Sequence, residues 1–280
     1  MTPTQYEIFK KGSRTYFYSS IFFPEPYRSD VFTLYSFVRV ADDFVDAVPQ
    51  QADEFYAFRE SYQNALAGNK SGNMIIDSFI DLMKRKNFEP SWIEAFLDAM
   101  AADLTKSTYT TIEETKKYMY GSAEVIGLFM ARIMNLHPDS HRSARMLGRA
   151  MQYINFIRDI DEDRGFGRTY LPLTNTVTSL DKEKNEAAPE PFVQYVRREI
   201  DRYLAWQKEA EEGFIYIPKR FLIPIKTASD MYKWTARVIE ADPFVVYQKK
   251  VKPGVPRLAA TLLKNSITIR KTKHPSLKEL

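Results

Sequence analysis

The stretch Val31-Phe-Thr-Leu-Tyr-Ser-Phe-Val-Arg-Val-Ala-Asp-Asp-Phe-Val-Asp-Ala-Val48 decides the fold. At about 100° per residue, Phe32, Leu34, Phe37, Val38, Val40, Phe44 and Val45 cover nearly the whole circumference of a helix, the pattern of one buried among others. Its polar exceptions are ordered: Tyr35, Arg39, Asp42 and Asp46 are spaced 4, 3 and 4, so they share one narrow stripe, with Asp43 beside it. Buried carboxylates one turn apart repel each other and cost several kcal/mol unless paired, so the stripe calls for a positive partner.

A second segment, Met146 to Ile160 (MLGRAMQYINFIRDI), repeats the arrangement. It is again mostly apolar, while Gln152, Asn155, Asp159 and Asp163 are spaced 3, 4 and 4 and Arg158, Glu162 and Arg164 border them. One Asp-x-x-x-Asp on a helix ordinarily marks a solvent-facing surface; two on otherwise apolar helices point inward. Packed antiparallel across a bundle core, the two helices would set Asp42, Asp46, Asp159 and Asp163 facing each other around a cavity. Oxygen ligands without His or Cys select a hard cation, Mg²⁺ with Mn²⁺ as the alternative. Mg²⁺ keeps open positions that substrate phosphate oxygens fill, so the stripes predict a metal-bridged diphosphate.

Outward from these segments the helical spacing continues. Trp92, Ile93, Phe96, Leu97, Met100 and Leu104 step by three and four, and similar stripes recur over roughly 26–47, 50–67, 74–85, 111–136, 139–165, 190–217, 223–242 and 254–270. Breaks fall at Pro49, Ala67 to Gly72, Glu89-Pro90 and His137 to Ser140. A polar stretch from Tyr170 to Pro191 reads as a long loop of the kind that often forms a lid. No break is rich enough in Gly, Ser or Pro to be a linker, which makes residues 1–280 one all-α domain.

Composition removes whole classes of chemistry. With no cysteine, thiol nucleophiles, disulfides and thiolate metal sites are excluded, and His137, His141 and His274 are too few and too poorly placed for a multi-His centre. The net charge of +4 is too balanced to imply nucleic acid. Its basic excess gathers from Lys249 onward, through Lys250, Lys252, Arg257, Lys264, Arg270, Lys271, Lys273 and Lys278. No run of 18 uncharged apolar residues occurs. The expectation is a cytoplasmic protein with peripheral contact to an anionic membrane.

At the acidic stripes the chain resembles the squalene/phytoene synthase family, the head-to-head branch of the class I isoprenoid synthases. Tyr35-Ser36-Phe37-Val38-Arg39 leading into Asp42-Asp43-Phe44-Val45-Asp46 is similar to the family's first aspartate-rich motif. Gln152, Asn155, Arg158-Asp159 and Glu162-Asp163, followed by Gly167-Arg168-Thr169-Tyr170-Leu171-Pro172, resemble the second. Ser13-Arg14-Thr15, Tyr118 to Gly127 (YMYGSAEVIG), Gly213 to Arg220 (GFIYIPKR) and Tyr232 extend the likeness from about residue 6 to 260.

The resemblance implies a helical bundle with a central cavity that takes two prenyl diphosphates and Mg²⁺. It implies that Asp42, Asp46, Asn155, Asp159 and Asp163 hold the metal. Diphosphate contacts fall by the same analogy to Ser13, Arg14, Thr15, Tyr35, Arg39, Gln152, Arg158 and Tyr232, and substrate contact also to Arg168. Where many members carry an arginine before the final apolar segment, this chain has Lys249-Lys250, so Lys250 keeps the charge without the bidentate fork.

Metal ions and cationic side chains let an allylic C–O bond ionise without a protein nucleophile, which accounts for the missing Cys and scarce His. The cation then needs a dry chamber. Aromatic residues reach 14%, and most are core. Tyr118 is singled out for cation contact because Tyr118, Ser122 and Ile126 form a row beside the small residues Gly121, Ser122 and Ala123, which would admit a prenyl chain.

By the resemblance, two geranylgeranyl diphosphates join through a cyclopropylcarbinyl diphosphate to give phytoene. The alternative is a C15-using dehydrosqualene or squalene synthase acting on farnesyl diphosphate. No NADPH is expected, since no Gly-x-Gly-x-x-Gly follows a strand. More distant readings are a terpene cyclase, a head-to-tail elongating enzyme and an inactive scaffold; the last would be expected to have lost its metal ligands, and both stripes are intact.

Overall fold

The computed structural model describes residues 2–12, Ser20 and 23–271, and among these the regular structure is helical, with a single isolated bridge between Thr108 and Thr169. The first half comprises α1 (Pro3–Gly12), α2 (Tyr27–Asp46), α3 (Ala52–Leu66), α4 (Met74–Lys86) and α5 (Pro90–Ala102). Then α6 (Ile112–Met119) passes through a π-helical turn at Tyr120–Glu124 into α7 (Val125–Ile133). The second half holds α8 (His141–Arg158), α9 (Ile160–Gly165), α10 (Lys182–Ala187), α11 (Pro189–Glu212), α12 (Lys219–Ala241) and α13 (Val255–Lys271).

Local chemistry sets several of these ends. The Asn73 side chain accepts the Ile75 and Ile76 N–H groups at the start of α4, and Asn87 takes the left-handed conformation (φ 50°) that ends it. Thr111 caps α6 by accepting from the Glu114 N–H, and Pro90 occupies the first turn of α5, where its missing donor costs nothing.

The acidic helix α2 lies against α1, α3, α4, α5 and α7. Its Phe37 ring stacks on Phe79 with centroids 3.8 Å apart and also meets Phe58, Tyr62 and Phe96, so aromatic packing fixes the rotation of the helix. In the other half α8 packs along α11 and α7 and touches α12 and the π-helical turn. Gly121 joins the halves: a Cβ there would stand 2.1 Å from the Ala95 carbonyl oxygen of α5. On the α8 side, a Cβ on Gly148 would stand 2.3 Å from the Ala123 carbonyl oxygen.

Three expectations are corrected. First, α2 is not buried all round, because Tyr35, Val38, Arg39, Val40, Asp42, Phe44 and Asp46 keep partial access to solvent, and Val48 beyond it is 81% exposed. Second, the continuous helix over 139–165 breaks at Asp159 (φ −101°, ψ 18°), which ends α8 and starts α9. Third, the stretch from 170 to 191 is not a free lid. Tyr170, Leu171, Val177 and Leu180 are buried, α10 occupies part of it, and Pro189 opens α11 instead of ending a loop. The small residues Gly121 and Gly148 are used in close helix-to-helix contact, Gly121 against α5 and Gly148 of α8 against the Ala123 carbonyl.

Candidate active site

The first acidic stripe is assembled on the half-exposed face of α2. Tyr35 stacks on Phe9 with ring centroids 3.8 Å apart, and burial pushes its hydroxyl above the usual tyrosine range. One turn on, the Arg39 guanidinium donates to Asp42 at 3.0 Å and pairs with Asp43. Burial, followed by repulsion from Asp46, pushes Asp42 up to about 7 although Arg39 opposes the shift. Its side chain nevertheless remains 32% exposed. The carboxylate is thus desolvated by surrounding protein yet partly open to water.

Asp46 is paired with Arg168 at 2.6 Å. The same guanidinium donates to the Val45 carbonyl at 2.6 Å and to the Asp103 carbonyl at 3.4 Å. Arg168 is placed there by the extended segment after α9, where Thr169 N–H donates to Ser107 and Tyr109 N–H donates to Thr169. Arg168, for which substrate contact is expected, has its fork on protein acceptors and fixes the C-terminal end of α2.

The second stripe straddles the α8–α9 break. Arg158 grips Asp159 in a bidentate pair of 2.8 and 2.5 Å, Lys250 reaches Asp159 at 3.3 Å, and Lys250 also bonds Glu162. Lys250 is therefore at the site by way of its carboxylates. Asn155 donates to Gln152 at 3.4 Å, while its buried Oδ1 has no hydrogen-bond partner. Asp163 makes no ion pair among the described residues, and burial, then Asp159 and Glu162, push its carboxyl well up. Lys250 and Arg168 act on it in the opposite sense, so Arg168 lies within electrostatic reach of both stripes. Arg168 also touches the second motif through its backbone, its N–H donating to the Asp163 carbonyl at 2.8 Å, so one residue contacts both motifs.

Part of the compensation expected from metal is thus supplied by protein cations: Arg39, Arg168, Arg158 and Lys250. Among the described residues no three His, Cys, Asp or Glu side chains gather closely enough to enclose a metal by themselves. The donor set still fits a hard cation that draws its remaining ligands from substrate and water. It is all oxygen, Asp163 lacks an ion-pair partner, and the orphaned Asn155 Oδ1 lies one turn from Asp159.

Tyr118, Ser122 and Ile126 lie on α6, the π-helical turn and α7 in that order. Tyr118 is buried and donates to Asp103 Oδ2 at 2.5 Å, with Tyr170 donating to Oδ1 at 2.8 Å. Tyr118, Tyr170, Phe156 and Tyr109 form one cluster, with Phe156 and Tyr170 stacked at 4.4 Å. The π-helical turn breaks the simple row, leaving Ser122 Oγ buried without a partner and Ile126 half-buried. Tyr232 is buried. Ser13, Arg14 and Thr15 lie outside the described residues.

Sequence reading passed over Asp103 and Gln50. Gln50 donates to the Val45 and Asp103 carbonyls, both at 2.8 Å, and burial pushes the Asp103 carboxyl up to about 6. The one signal for Asp103 is an acid closing a helix whose other acids, Glu94 and Asp98, are paired with Arg59.

The family model described as squalene/phytoene synthase matches residues 9–258. The 15-cis-phytoene synthase of Synechocystis is 27% identical, with 90% of this chain and 80% of that protein covered. The 15-cis-phytoene synthase of Pantoea ananas is 25% identical over 96% and 93% of the two chains. A solved dehydrosqualene synthase superposes with a TM-score of 0.83 at 19% identity, covering 96% of each chain. The squalene synthase from Alicyclobacillus acidocaldarius superposes with a TM-score of 0.74 at 22% identity, covering 86% of this chain and 93% of its own. These two structural likenesses speak to fold alone.

Proposed function

Because the chain belongs to the squalene/phytoene synthase family, whose members are prenyltransferases, we propose that it condenses two geranylgeranyl diphosphates head to head to phytoene. The observation that supports the reading is that Arg168 pairs with Asp46 of the first motif and donates its backbone N–H to the Asp163 carbonyl of the second, with the unpartnered Asn155 oxygen one turn from Asp159.

Asp42, Asp46, Asn155, Asp159 and Asp163 would hold Mg²⁺, or Mn²⁺, which supplies neutralising charge for a diphosphate. Arg39 and Arg158, now paired with Asp42 and Asp159, can exchange a carboxylate for a phosphate oxygen. Arg168 and Gln50 hold the end of α2 so that Asp42 and Asp46 keep their spacing. The Tyr118–Tyr170–Phe156 cluster supplies a dry aromatic wall, and the absence of a strong nucleophile protects a carbocation from capture. In the first half-reaction one C–O bond ionises, the second substrate's double bond attacks, and a proton is lost as the cyclopropane closes. In the second, the remaining diphosphate leaves, the skeleton rearranges, and loss of another proton gives the hydrocarbon without a reductant.

The relatives named phytoene synthase support C20 substrates over C15. Purified protein with Mg²⁺ should consume geranylgeranyl diphosphate with the higher kcat/KM and ignore NADPH. Preference for farnesyl diphosphate would replace the reading with a C15 one, and an NADPH-dependent product would make it a squalene synthase.

A further inference from the structure

The last helix, α13 (Val255–Lys271), has a face that the reaction does not use. It packs on α12 through Leu258, Asn265 and Ile269, with Asn265 donating to Thr227 at 3.2 Å and Asp230 at 2.9 Å. At about 100° per residue, Pro256, Ala260, Leu263 and Ile267 fall within an arc of about 60° diametrically opposite that buried edge. All four are exposed, Leu263 at 64% and Ile267 at 49%. Cations flank the arc: Lys264, Lys271 and Arg257 on one side and Arg270 on the other, all exposed.

Charge identifies the occupant. From Pro243 to Lys271 there is no Asp or Glu, against Lys249, Lys250, Lys252, Arg257, Lys264, Arg270 and Lys271. A second copy docking face to face would bring these cations against their own kind. An anionic lipid surface meets both features, since headgroups neutralise the flanks and the acyl boundary takes the apolar arc. With one edge packed along α12 and the apolar arc turned outward, α13 has the arrangement of a helix that lies in the interface plane. We infer that α13 is an in-plane membrane helix that docks this protein on an anionic bilayer through Leu263 and Ile267, with Lys264, Arg270 and Lys271 on the headgroups. The inference does not depend on the reaction assigned above.

Flotation of the full chain with vesicles of phosphatidylcholine, with and without phosphatidylglycerol, tests it. Wild type should float with the anionic vesicles only and be released by salt. The double variant Leu263→Asp/Ile267→Asp, which alters only exposed side chains and should keep its circular dichroism, should bind about tenfold or more weakly. The inference is overturned if wild type ignores anionic vesicles. It is equally overturned if the double variant binds as well as wild type, or if sedimentation shows a dimer that the variant dissolves.

Discussion

Asp103 keeps a proton in the folded chain that an unfolded aspartate gives up, because burial outweighs the Tyr118 and Tyr170 hydrogen bonds and the nearby Arg168. With its carboxyl raised from 3.8 to about 6, the folded state binds more protons in that window. Its contribution is full below about pH 3.8 and is lost as pH rises to about 6, by at most about 3 kcal/mol. Asp103→Asn should therefore flatten the fall in melting temperature across that interval relative to wild type; parallel curves would refute the shift. Asp42→Ala and Asp159→Ala should leave circular dichroism unchanged yet lower kcat by about a hundredfold or more, the scale of an electrostatic group lost from a charged transition state. Near-normal kcat in either variant would contradict its ligand role. The stripes themselves were legible in the sequence, since Asp42, Asp46, Asp159 and Asp163 stand out against apolar neighbours. Their partners were not: Arg168 meets Asp46 across 122 residues of chain, and no local spacing announces such a pair.

Helical spacing foretold the main helices to within a few residues, because each buries a stripe that repeats with the helical period. The internal irregularities escaped. The break at Asp159 carries no Gly or Pro, so periodicity runs through Asp-Ile-Asp-Glu-Asp without interruption. The π-helical turn at Tyr120–Glu124 is fixed by contact: Glu124 is buried between Arg145 at 2.9 Å and Arg149 at 2.6 Å, tying the turn to α8. On its other side Gly121 lies on α5, and Gly121→Ala puts a methyl 2.1 Å from a carbonyl oxygen that cannot turn away. That variant should lose about 1–3 kcal/mol in denaturant unfolding, as overpacked cores do. An unchanged midpoint would mean that α5 and the turn are less tightly joined than described.

At the scale of the molecule, two packed groups of helices each carry one acidic motif, Arg168 touches both, and the catalytic reading is a statement about that juxtaposition. Family membership makes the chain a prenyltransferase, while the proposed head-to-head joining would separate it from enzymes that lengthen a chain or close a ring. That distinction lies in which carbons are joined. With Mg²⁺ and geranylgeranyl diphosphate carrying carbon-13 at C1, nuclear magnetic resonance of the extracted hydrocarbon should show two labelled carbons bonded to each other. A labelled product whose two carbon-13 atoms are not neighbours, or a longer prenyl diphosphate in place of the hydrocarbon, would contradict the account.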